Sequence, residues 1–215
     1  MNATWERKEM ALNRPVVFTH SVLLHCRRPL RLRLRLPTSP AALFSSAARP
    51  ASSSMEAPPE GYRRNVGICL INSSKKIFAA SRLDIPEAWQ MPQGGVDEGE
   101  DPRNAAIREL REETGVRSAE IIAEVPYWLT YDFPPHVREK LRHQWGSDWK
   151  GQAQKWFLLK LTGTEEEINL LGDGTEKAEF GEWSWMSPEQ VLERAVDFKK
   201  PVYKDVLMVF KPYLE

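Results

Sequence analysis

Gly94-Gly95-Val96-Asp97-Glu98-Gly99-Glu100-Asp101-Pro102-Arg103-Asn104-Ala105-Ala106-Ile107-Arg108-Glu109-Leu110-Arg111-Glu112-Glu113-Thr114-Gly115-Val116 is the stretch on which the fold turns. It reads as loop, helix, loop. Asp101 is placed to cap a helix N-terminus, and Pro102 to fill the first helical position, where no N–H is needed. Gly115 is placed to close the helix in the left-handed conformation. On such a helix Glu109, Glu112 and Glu113 stand at i, i+3 and i+4 and share one face. Ile107, Leu110 and Thr114 point another way and are expected to pack on a sheet. Like charges at that spacing repel by about a few tenths of a kcal/mol per pair. A hard divalent cation relieves the repulsion, and carboxylate oxygens are the ligands Mg²⁺ prefers. Alone, Glu-x-x-Glu-Glu reads more simply as a solvated face paired with Arg108 and Arg111.

The spacing around the glutamates changes that reading. Gly94 stands six residues before Glu100, and Glu100 eight before Arg108. Arg-Glu-Leu-x-Glu-Glu-x-Gly-Val then follows without a gap. This resembles the Nudix box, Gly-x5-Glu-x7-Arg-Glu-(apolar)-x-Glu-Glu-x-Gly-(apolar), at every defined position. A pattern this long is far more specific than a lone glycine motif. The resemblance implies an α/β/α sandwich around a mixed sheet, with Glu109, Glu112 and Glu113 binding Mg²⁺ or Mn²⁺. It implies that Glu100 and Arg108 pair to hold the loop, and that Gly94 and Gly95 let backbone approach phosphate. The chemistry would be hydrolysis of a phosphoanhydride. Metal neutralises the polyphosphate and lowers the pKa of water, and a carboxylate such as Glu109 takes the proton. Which glutamate acts as base is left open by the box.

Outward from the box, hydrophobic patterning gives strands with interspersed helices. Val66–Ile71 and Lys76–Ser81 read as a hairpin about the turn Asn72-Ser73-Ser74-Lys75. Trp89-Gln90-Met91 reads as a short strand stopped by Pro92. Further strands are expected at Ile121–Val125, Tyr127–Tyr131, Lys155–Leu161, Glu167–Leu170 and Trp183–Met186. Helices are expected at Pro188–Ala195 and Val202–Phe210. Pro134–Gly151 has weak periodicity and reads as a long loop or lid. The class is α/β or α+β with layers covering a mixed sheet. Cys69, on an apolar strand, reads as a buried small hydrophobe. Trp183 and Trp185 share a strand face and read as core.

Composition bounds the partners. Of 215 residues, 41% are hydrophobic and 28% charged, as in a globular chain. No run reaches the roughly 18 apolar residues that span a membrane. Two cysteines, Cys26 and Cys69, make no disulfide framework, and no Cys/His spacing suggests zinc. Up to Ser54 there are nine Lys/Arg and two acids, leaving 21 and 28 for the rest of the chain. The first part is thus about +7 and the remainder about −7. Residues 1–55 are Arg-, Ser-, Ala- and Pro-rich and read as an organellar transit peptide. The alternative is an ordinary disordered extension. Met55 would start a leaderless form. The acidic body, residues 56–215, reads as one domain and argues against DNA or general nucleic-acid binding. Nothing demands more than a monomer.

Beyond the box, four segments resemble two branches of the Nudix family: Gly61–Gly67, Trp89–Gly95, Gly151–Phe157 and Glu179–Trp185. One branch is the plant-type asymmetric diadenosine tetraphosphate hydrolase, the other the bacterial RNA pyrophosphohydrolase. The plant branch looks the closer, through Tyr127–Pro135 and Gln144–Lys150. For residues 1–55 it implies the chloroplast, with the mitochondrion as alternative. That resemblance implies Glu179 as a further metal ligand or base. It implies Arg63, Arg82 and Lys155 on phosphates, Gln93 with Gly94 and Gly95 along the phosphate path, and Tyr131 and Phe198 stacked on adenine. Each also has a plain structural reading: a solvated edge charge for Lys155, a turn cap for Glu179, core aromatics for Tyr131 and Phe198. The substrate implied is a dinucleoside polyphosphate, chiefly diadenosine tetraphosphate cut to ATP and AMP, with the pentaphosphate besides. The alternatives are a 5′-triphosphorylated RNA end, guanosine tetraphosphate, or a non-catalytic nucleotide-sensing module.

Overall fold

A computed structural model describes residues 57–146, 148–171 and 177–215. The leader of residues 1–55 and Met55 lie outside these. Eight strands make one mixed sheet: β1 (Tyr62–Ile71), β2 (Ile77–Arg82), β3 (Trp89–Gln90), β4 (Gln93–Gly95), β5 (Ala119–Glu124), β6 (Leu129–Asp132), β7 (Gly151–Leu161) and β8 (Phe180–Met186). The main path runs β3-β2-β1-β7-β5, with β4 beside β1, β6 beside β7 and β8 beside β2. β1 and β7 run parallel from Tyr62↔Gly151 to Ile71↔Lys160. The other pairings are antiparallel.

Strand alternation sends successive side chains to opposite faces. One face carries Val66, Ile68, Leu70, Phe157 and Leu159, covered by Ala105, Ala106 and Leu110 of helix α1 (Pro102–Thr114). The other carries Cys69, Trp156 and Leu158. It is covered by Val191 of α3 (Pro188–Arg194) and by Val202, Tyr203, Val206 and Phe210 of α4 (Lys200–Leu214). Val137 and Leu141 of α2 (Pro135–Trp145) pack against the edge of the same cluster. The result is a helix–sheet–helix sandwich. Trp183 and Trp185 stack on and against Phe78, as core packing requires.

Several expectations need correction. Pro134–Gly151 is not a loop, because α2 occupies most of it. Its N-terminus is Pro134 with no side-chain cap, and among its described side chains little beyond Val137 and Leu141 packs on the core, so the usual signals are missing. Glu167–Leu170 is not a strand: Glu165–Glu167 form a 3₁₀ turn. The Glu167 carboxylate there accepts from the backbone N–H groups of Arg117 and Ser118, which pins the segment without a ladder. Ile107 does not pack on the sheet; it is 49% exposed, and the alanines at 105 and 106 make that contact.

Candidate active site

Helix α1 starts and stops as its end residues dictate. The Asp101 carboxylate accepts from the backbone N–H groups of Arg103 (2.9 Å) and Asn104 (3.4 Å). Gly115 takes φ 72°, a left-handed value that only glycine adopts freely, and its N–H closes on the Arg111 carbonyl at 2.8 Å. Between these caps the glutamate face is held against the loop 94–100 by one guanidinium. Arg108 donates through Nε and Nη2 to Glu100 (2.9 and 2.8 Å) and through Nη1 to Glu109 (2.8 Å) and Glu112 (2.9 Å). Its remaining N–H goes to the Gly95 carbonyl at 2.8 Å. All five donors of the group are therefore used. The pairing with Glu100 pushes Arg108 higher still and holds the Glu100 carboxyl below its usual range. Gly94 is glycine for a steric reason: a Cβ there would occupy the place of the Glu109 carboxylate.

Glu113 receives none of Arg108's donors. Its carboxylate accepts from the backbone N–H of Gln93 at 3.0 Å. Burial, then the nearby charges of Glu179 and Glu109, push its pKa well above the ordinary value. Burial also raises Glu109, against the pull of Arg108 and with the push of Glu112 and Glu179. Glu179 reaches this group from the start of β8 and pairs with Arg82, which also holds Asp84 at 2.8 Å. Among the described residues, no three acidic, histidine or cysteine side chains converge as a preformed metal cage. The arginines hold several of these carboxylates instead. Yet the donor set is all carboxylate oxygen, and the Glu179 charge raises the charge cost of both Glu109 and Glu113. Those residues fit a hard divalent cation, which removes that repulsion.

The other candidates divide between the two faces. Arg63 lies against Gly95 and within electrostatic reach of Tyr131. Phe198 is half-buried, its ring centroid 5.6 Å from that of Tyr131. Tyr131 itself is only 7% exposed and donates from its hydroxyl to Gln152 at 2.6 Å, so its ring offers little open surface. Lys155 is not with this group. β7 alternation places it on the α1 face, opposite Gln152, Gln154 and Trp156.

The structure also brings in groups that the sequence reading missed. Lys199 is 8% exposed; its Nζ donates to Gln90 (2.7 Å) and Gln93 (3.2 Å) and lies 5.9 Å from the Tyr131 ring centroid. Burial and the charge of Arg82 lower its pKa to about 7. Gln90 Nε2, beside it, is buried without a partner. Asn65, Gln152 and Gln154 complete a buried amide cluster. The only sequence signal for Lys199 was its place next to Phe198, and a lysine in a polar run reads as solvated.

Known proteins match this arrangement. The NUDIX domain model matches residues 61–206. Nudix hydrolase 26, chloroplastic, of Arabidopsis thaliana is 67% identical over 204 residues, covering 94% of this chain and 88% of that protein. An RNA pyrophosphohydrolase of Cereibacter sphaeroides is 51% identical over 156 residues, covering 71% and 93%. The structure of the E. coli dihydroneopterin triphosphate pyrophosphohydrolase shares the fold with a TM-score of 0.54 at 19% identity, over 68% of this chain and 97% of that one. The matched span takes in the loop 94–100, the whole of α1 and Glu179 just before β8, and with two thirds of its length so matched the chain belongs to the NUDIX domain family.

Proposed function

We propose that this Nudix hydrolase cleaves dinucleoside polyphosphates, chiefly diadenosine tetraphosphate, off-centre to ATP and AMP. The observation that carries the reading is the half-buried Phe198 ring, set beside Lys199 and Gln93, whose backbone N–H holds Glu113. An aromatic face next to a polyphosphate site suits a purine, and base stacking is worth about 1–3 kcal/mol. One stacked adenine fixes which phosphorus faces the attacking water. Arg63, Arg82 and Lys199 would meet phosphate oxygens, and Gly94 and Gly95 would let backbone approach them. Lys155, on the other face of β7, would serve only a chain extending that way. Glu109, Glu112, Glu113 and Glu179 would hold Mg²⁺ or Mn²⁺. When bound, the cation supplies positive charge against the polyphosphate and lowers the pKa of the attacking water. Glu109 or Glu179 takes the proton, while Arg108 and Glu100 keep the glutamate face in register.

A second reading keeps the catalysis and changes the substrate to a 5′-triphosphorylated RNA end. It is favoured by the name of the Cereibacter relative, 51% identical to this chain. The experiment offers diadenosine tetraphosphate, triphosphorylated RNA and guanosine tetraphosphate side by side with Mg²⁺ and follows the products. ATP plus AMP from the first, with the highest kcat/KM of the three, is expected; faster release of pyrophosphate from RNA would favour the second reading. No turnover of any would point to a nucleotide-sensing module. We further place the protein in the chloroplast. The Arabidopsis relative bears that name, and an alignment covering 94% of this chain takes in most of the basic leader.

A further inference from the structure

Asn65, Gln152 and Gln154 are each at most 5% exposed, among Trp156, Tyr203 and other core groups. Amides persist in such surroundings only when their hydrogen bonds are made. Here the bonds also have a direction. The Trp156 indole N–H is donor only, and it lies 3.1 Å from Gln154 Oε1. That assigns the Gln154 carbonyl to Trp156 and turns its NH₂ towards Asn65 Oδ1 (2.7 Å) and Gln93 Oε1 (3.2 Å). Lys199, which in its charged form only donates, reaches the same Gln93 oxygen at 3.2 Å. The Gln93 amide therefore faces Gln154 and Lys199 with its carbonyl. The Gln154 NH₂ also approaches Gln152 Oε1 at 3.5 Å, the oxygen to which the Tyr131 phenol donates at 2.6 Å. Two fixed donors, Trp156 and Lys199, thus set the sense of the whole chain, with Gln154 as its hub.

We propose that Gln154 is a positioning residue for substrate binding: through the Gln93 amide it sets Lys199, and through the Gln152 amide Tyr131, at the nucleotide end of the site. It is fully buried, so it acts without touching substrate. The inference rests on the reading that a nucleotide polyphosphate binds beside Phe198 and Lys199. The hold on Glu113 is separate, because it comes from the Gln93 backbone, which the Gly67↔Gln93 pairing of β1 with β4 fixes. Loss of the Gln154 donor should then be felt in KM and spare kcat.

The test is a double-mutant cycle of Gln154→Met and Gln93→Met in the full chain, with Gln154→Glu alongside. Glu keeps the acceptor for Trp156 and the size of the side chain, and in its ionised form it loses the donor, so its KM is read at the pH where that carboxyl is ionised. Circular dichroism and Tm show which variants are folded. Each folded single variant is expected to raise KM about tenfold, as a change of about 1.4 kcal/mol in binding would, with kcat within about twofold. The double variant should be no worse than the worse single one, since both remove one path. Multiplying effects, a loss confined to kcat, or an unchanged KM in folded Gln154→Glu would overturn the proposal. If the wild type leaves diadenosine tetraphosphate intact, the substrate reading fails separately. The same cycle is then run on the triphosphorylated RNA, where the same KM pattern is expected.

Discussion

Lys199 is the residue whose chemistry depends most on its surroundings. Its ammonium is enclosed by Gln90, Gln93 and the Tyr131 ring, with Arg82, Glu113, Glu179 and Asp84 as the charges that act on it. Burial and Arg82 outweigh the three carboxylates, and the pKa falls to about 7. The unfolded chain keeps that proton to about pH 10.4. The folded pKa is the lower one, so the unfolded state binds more protons between the two values, and stability rises with pH across that window. Below about pH 7 the full penalty of a buried charge is present. Binding runs the other way, because only the charged form pairs with phosphate. In the wild type, KM for the polyphosphate is expected to rise as pH passes about 7. In Lys199→Met, KM should be about tenfold higher at pH 6 and flat through that interval, and the rise of stability between pH 7 and 10 should vanish. Steady-state kinetics and urea unfolding over pH 6–10 measure both; a KM profile in Lys199→Met that parallels the wild type would assign the titration to another group.

Among the elements, α1 was legible because its own residues specify its ends. Asp101, Pro102 and Gly115 mark them locally, and all three serve as expected. Asp101→Ala should therefore cost about 1 kcal/mol of stability and lower Tm by about 2–4 °C in a chain of this size. Kinetic constants at low temperature should change little, since Arg108 holds the glutamate face from the loop side; a large loss of kcat with unaltered Tm would show that the cap positions the carboxylates. Elements set by tertiary contact were not legible. Strand β4 is Gln93-Gly94-Gly95, a sequence with no strand preference, and it exists because β1 pairs with it. Helix α2 starts without a cap and rests on two apolar anchors. The 3₁₀ turn at Glu165 lies where a strand was expected, since Glu167 bonds backbone N–H groups with its side chain. The same distinction divides the site. Glu109, Glu112, Glu113, Glu100 and Arg108 sit on one local motif and could be read together. Lys199, Gln90 and Gln154 come from three distant segments, and only the packing of the 197–199 turn beside β3 and β4 makes them neighbours.

At the scale of the whole chain the charge is divided, about +7 up to Ser54 and about −7 beyond it. The two parts answer to different demands. An acidic body suits a protein that gathers carboxylates around a divalent cation and repels bulk nucleic acid. Everything assigned to catalysis, from Arg63 to Lys199, lies in that body and within the family match over residues 61–206. The basic, acid-poor residues 1–55 contribute no candidate site residue. Two outcomes follow for the intact molecule. A reporter carrying residues 1–60 at its N-terminus should accumulate inside chloroplasts in leaf protoplasts, and exchange of Arg31, Arg33 and Arg35 for glutamate should hold it in the cytosol by removing the basic, acid-poor character. The chain from Met55 onward should keep kcat/KM within about twofold of the full-length protein, because every residue assigned to the site and to the sheet lies at 62 or beyond. A reporter that stays cytosolic with the natural leader would remove the targeting role, and a large loss of kcat/KM on truncation would show that the leader takes part in the fold or the site.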